Sequence, residues 1–97
     1  MNYFFHAAAR VEHLDHVAFY ESRLRGLGRE YLDEFEAAVQ LIVEGPERFR
    51  VDAPPDIRRY HLSRFPVTIH YRVLKASVQI VAVAHKRKRP YYWAARI

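Results

Sequence analysis

Hydrophobic and polar positions change period once along the chain, and the change divides it. Tyr3-Phe4-Phe5 is a short aromatic run with strand preference that stops at His6. Ala7-Ala8-Ala9 opens a helix-forming stretch. Val11, Leu14 and Ala18 then recur at helical spacing, with Glu12, His13, Asp15 and His16 between them, which predicts a first helix over about 7–24. Arg25-Gly26-Leu27-Gly28 interrupts it with two glycines in four residues, suited to a helix end and a tight connection. Leu32, Phe35, Val39 and Ile42 step by three, four and three, the single apolar stripe of a second helix, which Gly45-Pro46 ends. Helices joined so briefly are expected to form an antiparallel hairpin.

Residues 45–56 read as loop, bracketed by Gly45, Pro46, Pro54 and Pro55. From Ile57 the period becomes two. Arg59 and His61 share one face, while Arg58, Tyr60 and Leu62 share the other. After Pro66, Val67, Ile69, Tyr71 and Val73 alternate with Thr68, His70, Arg72 and Leu74. Lys75-Ala76-Ser77 makes a turn without the usual Gly or Asn, and Val78–Ala84 is apolar at nearly every position, as in a central strand covered on both sides. The expected fold is α+β in the order β-α-α-β-β-β: a small antiparallel sheet packed on one side by the N-terminal helical hairpin. The other face is expected to be partly open and to gather the cationic residues of the later strands.

Composition narrows the class. The 97 residues, 51% hydrophobic and 14% aromatic, suit one domain over 1–97 with a working core and exclude a disordered chain. The lack of cysteine excludes a disulfide framework and a thiolate zinc site, and a reducing cytoplasm is the expected location. No apolar run approaches the roughly 18 residues of a spanning helix. The first residues lack a basic segment followed by a long apolar one, so no signal peptide is expected.

Charge adds direction. Residues 1–47 hold four basic and nine acidic residues, a net of −5; residues 48–97 hold twelve basic and two acidic, a net of +10. A cationic half of this size points to an anionic partner. The sharpest cluster is His85-Lys86-Arg87-Lys88-Arg89, followed by Pro90-Tyr91-Tyr92-Trp93. With Arg59 and His61 it is expected to form a groove suited to phosphate, where Tyr91, Tyr92 or Trp93 could stack on a base. A strand face awaiting a protein partner fits the same residues equally. Trp93 is read as closing the core, and His70 as a partly buried, hydrogen-bonded residue. His13 and His16, with Glu12, have helical spacing for a metal, but no further ligands accompany them. They read as surface histidines, and no metal or cofactor is expected. No serine sits in a nucleophile motif, and the glycines of Gly26 and Gly28 join two helices, so phosphate-loop and dinucleotide readings fail.

Four phrases in order carry a family likeness: 26–39 (GLGREYLDEFEAAV), 45–49 (GPERF), 64–73 (RFPVTIHYRV) and 81–93 (VAVAHKRKRPYYW). Together they span nearly the whole chain and resemble the RelE/ParE superfamily of type II toxin–antitoxin toxins, also labelled plasmid stabilisation proteins. The resemblance implies a compact bacterial toxin, a helical hairpin on a small sheet, and a small antitoxin partner that wraps it. It offers two targets. RelE-like members cut mRNA on the ribosome, and ParE-like members poison DNA gyrase. Mapped from the RNA-cleaving branch, Arg59 and His61 match its first-strand basic pair, Lys86 its later basic residue and Tyr92 its late tyrosine. Thr68 stands where that branch has arginine, three residues before Tyr71. Losing one charge that contacts a transition state costs roughly 100- to 1,000-fold in rate. The phrases around Phe65-Pro66 and His85 also look ParE-like, so the non-enzymatic branch is favoured, with a metal-independent endoribonuclease as the alternative. Target- or antitoxin-binding candidates are Arg59, His61, Arg72, His85, Lys86, Arg87, Arg89, Tyr91 and Tyr92. No membrane partner is expected, and a toxin–antitoxin hetero-oligomer is.

Overall fold

A computed structural model describes all 97 residues. Strand β1 (Asn2–Phe5) leads into helices α1 (Ala7–Arg23) and α2 (Leu27–Glu44). A short 3-10 turn (Pro46–Arg48) precedes strands β2 (Val51–Ala53), β3 (Ile57–His61), β4 (Val67–Leu74) and β5 (Ser77–His85), and a last 3-10 turn covers Ala94–Arg96. The five strands lie in the order β1-β5-β4-β3-β2. The α+β class and the helical hairpin are as the sequence predicts; two features of the sheet are not. It is mixed, because β1 joins β5 in parallel, with Tyr3 opposite Val78 and Phe5 opposite Ile80. A parallel neighbour needs a long crossover, and everything between β1 and β5 supplies it. The second difference is β2, formed inside the stretch read as loop. It pairs antiparallel with β3 across an irregular register, three residues with no alternation to reveal them.

His6 turns strand into helix. Its N–H donates to the Ile80 carbonyl (2.9 Å), and its Nδ1 accepts from the Ala8 N–H (3.1 Å), capping α1. The helices run antiparallel: Tyr20 packs on Tyr31, and farther along His13 packs on Phe35. Their join is close. A Cβ on Gly28 would lie 2.8 Å from the Val17 carbonyl oxygen and 3.0 Å from Glu21 Cβ. Glu21 in turn accepts the N–H groups of Gly26 and Gly28, each at 3.1 Å, so a side chain of α1 caps the start of α2.

The apolar stripe expected on α1 is on the wrong side. Val11 and Leu14 are 59% and 53% exposed, and Ala18 is exposed as well. The inward face carries Ala9, His13 and Tyr20, with Glu12, His16 and Val17 half-buried. Counting apolar residues fails here because the inward face uses polar atoms. Strand β5 runs past the end of β1, and side chains complete its free edge. The Val83 N–H donates to Glu12 Oε1 (3.0 Å), His16 Nε2 pairs with the Val83 carbonyl (2.9 Å), and Arg96 Nη1 donates to the Val81 carbonyl (3.0 Å). Neither His13 nor His16 is a surface residue. On α2, Phe35, Val39 and Ile42 are buried as expected, but Tyr31 is fully buried and Leu32 only partly.

A bulge explains why β5 reads as continuously apolar. Tyr71 pairs with Ile80 and His70 with Ala82, leaving Val81 extra. The bulge reverses the alternation, so Val78, Ile80 and Val83 join the helix-side core while Val81 and Ala82 join a second core with Ile57 and Trp93. The tail bearing Trp93 thus covers part of the sheet's other face. The β4–β5 turn is closed by Lys75 and Ala76 at φ +52° and +61°, the sign pattern that Gly and Asn usually satisfy.

Two predictions follow from this packing. Replacing Gly28 with Ala puts a methyl group against α1 backbone and should cost about 1–3 kcal/mol, lowering Tm by roughly 4–8 °C per kcal/mol in a domain of this size; thermal unfolding followed by circular dichroism measures it. His13 lies in an aromatic sandwich, 4.1 Å from the Phe35 ring and 5.3 Å from Phe5, with Nδ1 unpartnered. Burial, helped by His16 and Arg10, lowers its pKa from 6.5 to about 4. The unfolded chain therefore takes up a proton that the folded chain refuses, and stability falls as pH drops from about 6.5 towards 4. Urea unfolding at pH 6.5 and pH 5 should show a loss of about 2 kcal/mol from this residue, and His13→Leu should flatten the dependence by that amount. Equal pH slopes in the two proteins would refute the assignment.

Candidate functional site

The sheet face opposite the helices carries a cleft of about 270 Å³. Alternation on β3 and β4 aims Arg59, His61, Thr68 and His70 into it, β5 supplies Ala84 and His85, and β2 supplies Asp52. The segment after β5 folds back to form the far wall: the Lys86 N–H bonds to the Pro66 carbonyl (2.9 Å), and the Lys88 N–H to the His85 carbonyl (2.9 Å). Lys86, Lys88, Arg89, Pro90, Tyr91, Tyr92 and Trp93 line it from there.

The floor is polar and paired. Asp52 is the one acid in the cleft; its Oδ1 lies 3.0 Å from Arg59 Nη1 and its Oδ2 3.1 Å from His70 Nδ1. The contact to His70 is close but poorly aligned for hydrogen bonding, since that nitrogen has no well-directed acceptor. Burial holds His70 below its ordinary pKa, with Asp52 opposing and His61 and Arg59 reinforcing the shift. Trp93, 2% exposed, packs against it at 5.3 Å. His61 Nδ1 and Thr68 Oγ1 are 2.6 Å apart.

The outer wall is fixed through Glu12 of α1. Its carboxylate accepts from Arg96 at 3.0 and 2.8 Å and from the Tyr92 hydroxyl at 2.8 Å, besides the Val83 N–H. Burial opposes a charge there, but the bonds from Arg96, Val83 and Tyr92 outweigh it and hold Glu12 below the usual carboxylate range. Burial and the bond to Glu12 push the Tyr92 phenol up, so it keeps its proton. Lys88 Nζ and Arg96 lie over the Tyr92 ring, at 5.3 and 5.1 Å.

Seven of the nine binding candidates from the sequence therefore meet in one cleft: Arg59, His61, His85, Lys86, Arg89, Tyr91 and Tyr92. Arg72 does not line it. It sits nearer the β4–β5 turn and donates from Nε to Gln79 Oε1 (2.8 Å). Arg87 also lies outside the lining, its backbone N–H bonded to His85 Nδ1. Sequence reasoning missed Asp52, because it sits on the strand hidden in an apparent loop. It also missed Glu12, because a glutamate on a helix signals solvent rather than an 84-residue reach to Arg96.

The comparisons with known proteins bear on these features together. The chain is similar in structure to the chromosomal ParDE toxin–antitoxin system of P. aeruginosa, with a TM-score of 0.70 at 18% identity, covering 88% of this chain and 95% of that one. That likeness shows the fold. No curated protein sequence matches. The family model for the ParE toxin of type II toxin–antitoxin systems matches residues 3–90, which takes in the helical hairpin, all five strands and the cationic segment, and the chain accordingly belongs to the ParE toxin family.

Proposed function

We propose that the chain is a toxin held inactive by a cognate antitoxin and that, once released in the cytoplasm, it arrests growth by binding DNA gyrase. One observation weighs most against the alternative, cleavage of mRNA on the ribosome: the groups that would do the chemistry are engaged elsewhere. The Tyr92 hydroxyl is spent on Glu12, Arg59 faces Asp52, and the buried Thr68 takes the central position where a cation is needed. General acid–base chemistry needs a free group within reach of the proton it moves, and phosphate cleavage needs charge at the transition state. A protein acting by binding needs neither.

The outer face of α1 supports the antitoxin half of the reading. Val11 and Leu14, with the exposed Ala18, form an apolar strip at helical spacing that the sheet does not cover, and Phe19 is 52% exposed beside it. Strips of this kind mark protein interfaces. An antitoxin segment that lies on it and carries acidic residues would meet the net +10 of the C-terminal half, so its affinity should weaken with added salt.

Two outcomes are expected. Induction of the chain without its antitoxin should inhibit supercoiling by gyrase and leave mRNA ends unchanged; codon-phased new ends mapped across the transcriptome would sink the gyrase reading. Leu14→Asp should leave Tm nearly unchanged, because the side chain is 53% exposed, yet weaken antitoxin binding by about 2 kcal/mol, roughly thirtyfold, in a calorimetric titration.

A further inference from the structure

We infer that strand β1 is a docking edge for a second copy of this chain: two β1 strands pair antiparallel about a twofold axis at Phe4 and join two five-stranded sheets into one. This goes beyond the toxin reading and does not depend on the target.

The open backbone groups are the first observation. Strand β1 ends the sheet and is bonded on one side only, to β5. In a parallel ladder, alternate residues of a strand turn their N–H and C=O towards the same neighbour. The His6 N–H donates to the Ile80 carbonyl, so Asn2 and Phe4 also face β5, while Tyr3 and Phe5 turn their backbone groups outward. The stretch of β5 just beyond is different, because Glu12, His16 and Arg96 complete its edge with side chains. A row of open donors and acceptors at strand spacing is satisfied by another strand.

The two ends of the sheet are built differently, which is the second observation. At the far end, β2 is three residues long, has an irregular register and runs into Pro54-Pro55, devices by which natural sheets refuse an extra strand. Strand β1 has none of them. Its register with β5 is regular from Asn2 to Phe5, and it holds no proline and no charged side chain. Tyr3 and Phe4, on opposite faces, are 43% and 41% exposed.

Charge and register select the occupant. The chain has no Asp, Glu, Lys or Arg before Arg10. An edge without charge offers an acidic or basic segment nothing to choose it by, and it sets up no repulsion against itself. It is also self-complementary. With Tyr3 opposite Phe5 of the second copy, and Phe5 opposite its Tyr3, every outward N–H and C=O of these residues finds a partner. Phe4 then meets Phe4 of the second copy as a non-hydrogen-bonded pair, Cα atoms about 4.5 Å apart, the closest cross-strand setting and one that favours aromatic pairs. The small side chains of Ala7 and Ala8 open α1 where the end of the incoming strand must pass.

Strands of four residues bury less than the roughly 1,200 Å² of a stable interface, so the pair is weak, with half-association on the order of 100 µM. Sedimentation of the purified chain from about 10 µM to about 1 mM should show its mass rise from 11.6 kDa towards twice that value. Tyr3→Pro removes an outward N–H but no bond to β5, and should weaken association at least about tenfold. Phe4→Lys sets two ammonium groups face to face on the axis and should do the same. Both side chains are exposed, so the fold should persist, as circular dichroism would verify. Amide exchange gives a residue-level reading: the Tyr3 and Phe5 N–H groups should gain protection as concentration rises, and that of Phe4, already bonded, should not. A chain monomeric at every concentration would overturn the inference. So would a dimer that survives both substitutions, and one that Leu14→Asp dissociates while Tyr3→Pro does not would place the contact on α1 instead.

Discussion

The carboxylate of Glu12 is the point through which most of this molecule is connected. It satisfies the edge of β5 where β1 stops, receives both guanidinium nitrogens of Arg96, and takes the proton of the Tyr92 hydroxyl as a hydrogen bond. A carboxylate offers about four acceptor sites, and here the four contacts reach three residues, Val83 on β5 and Tyr92 and Arg96 in the tail. The His16–Val83 and Arg96–Val81 bonds join these elements in pairs, but Glu12 alone bonds strand β5 and the C-terminal tail at once; apolar packing sets distance but not direction. Charge-assisted bonds do set direction, and the wall of the cleft takes its position from them.

That connection also decides which groups stay free. A tyrosine bonded to a half-buried carboxylate cannot at the same moment serve a substrate, and an arginine facing an aspartate contributes little net charge to a neighbour. The same side chain types could build a catalytic site if they were unpaired. Here Asp52 and Arg59 offset one another on the floor, while Lys86, Lys88 and Arg89 of the following segment have no carboxylate partner. Residue identity in the sequence therefore overstates the chemistry available, because pairing is a property of the fold.

The hairpin, the three antiparallel strands and the gathering of Arg59, His61, Lys86 and Arg89 on one sheet face were legible, because strong periodicity survives without tertiary knowledge. Trp93 was legible as a buried ring because a side chain that large gains most from leaving water. The inward face of α1 was not. Val11, Leu14 and Ala18 fit a helical stripe as well as any core set, while the true inner face mixes Ala9, Glu12, His13 and His16. Only the unpaired edge of β5 makes those polar residues belong inside, and that edge exists because β1 is short. Strand β2 escaped because it is three residues long and flanked by prolines and charge. Strand β5 was legible as a strand covered on both faces because it is apolar at nearly every position; the bulge at Val81, which flips its alternation, was not.

The two exposed features that remain, the apolar strip on α1 and the cationic wall, are set on opposite sides of the Glu12 contact. Helix α1 turns Val11 and Leu14 outward from the same turns that send Glu12 inward to Arg96 and Tyr92. A partner segment of the kind proposed above would find apolar contact on the strip and ionic contact at Lys88 and Arg89. Apolar contact would supply affinity and the charges register, and covering Tyr91 on the way would close the cleft rim. For the antitoxin proposed above, the apolar strip and the charged wall would be the two surfaces to cover.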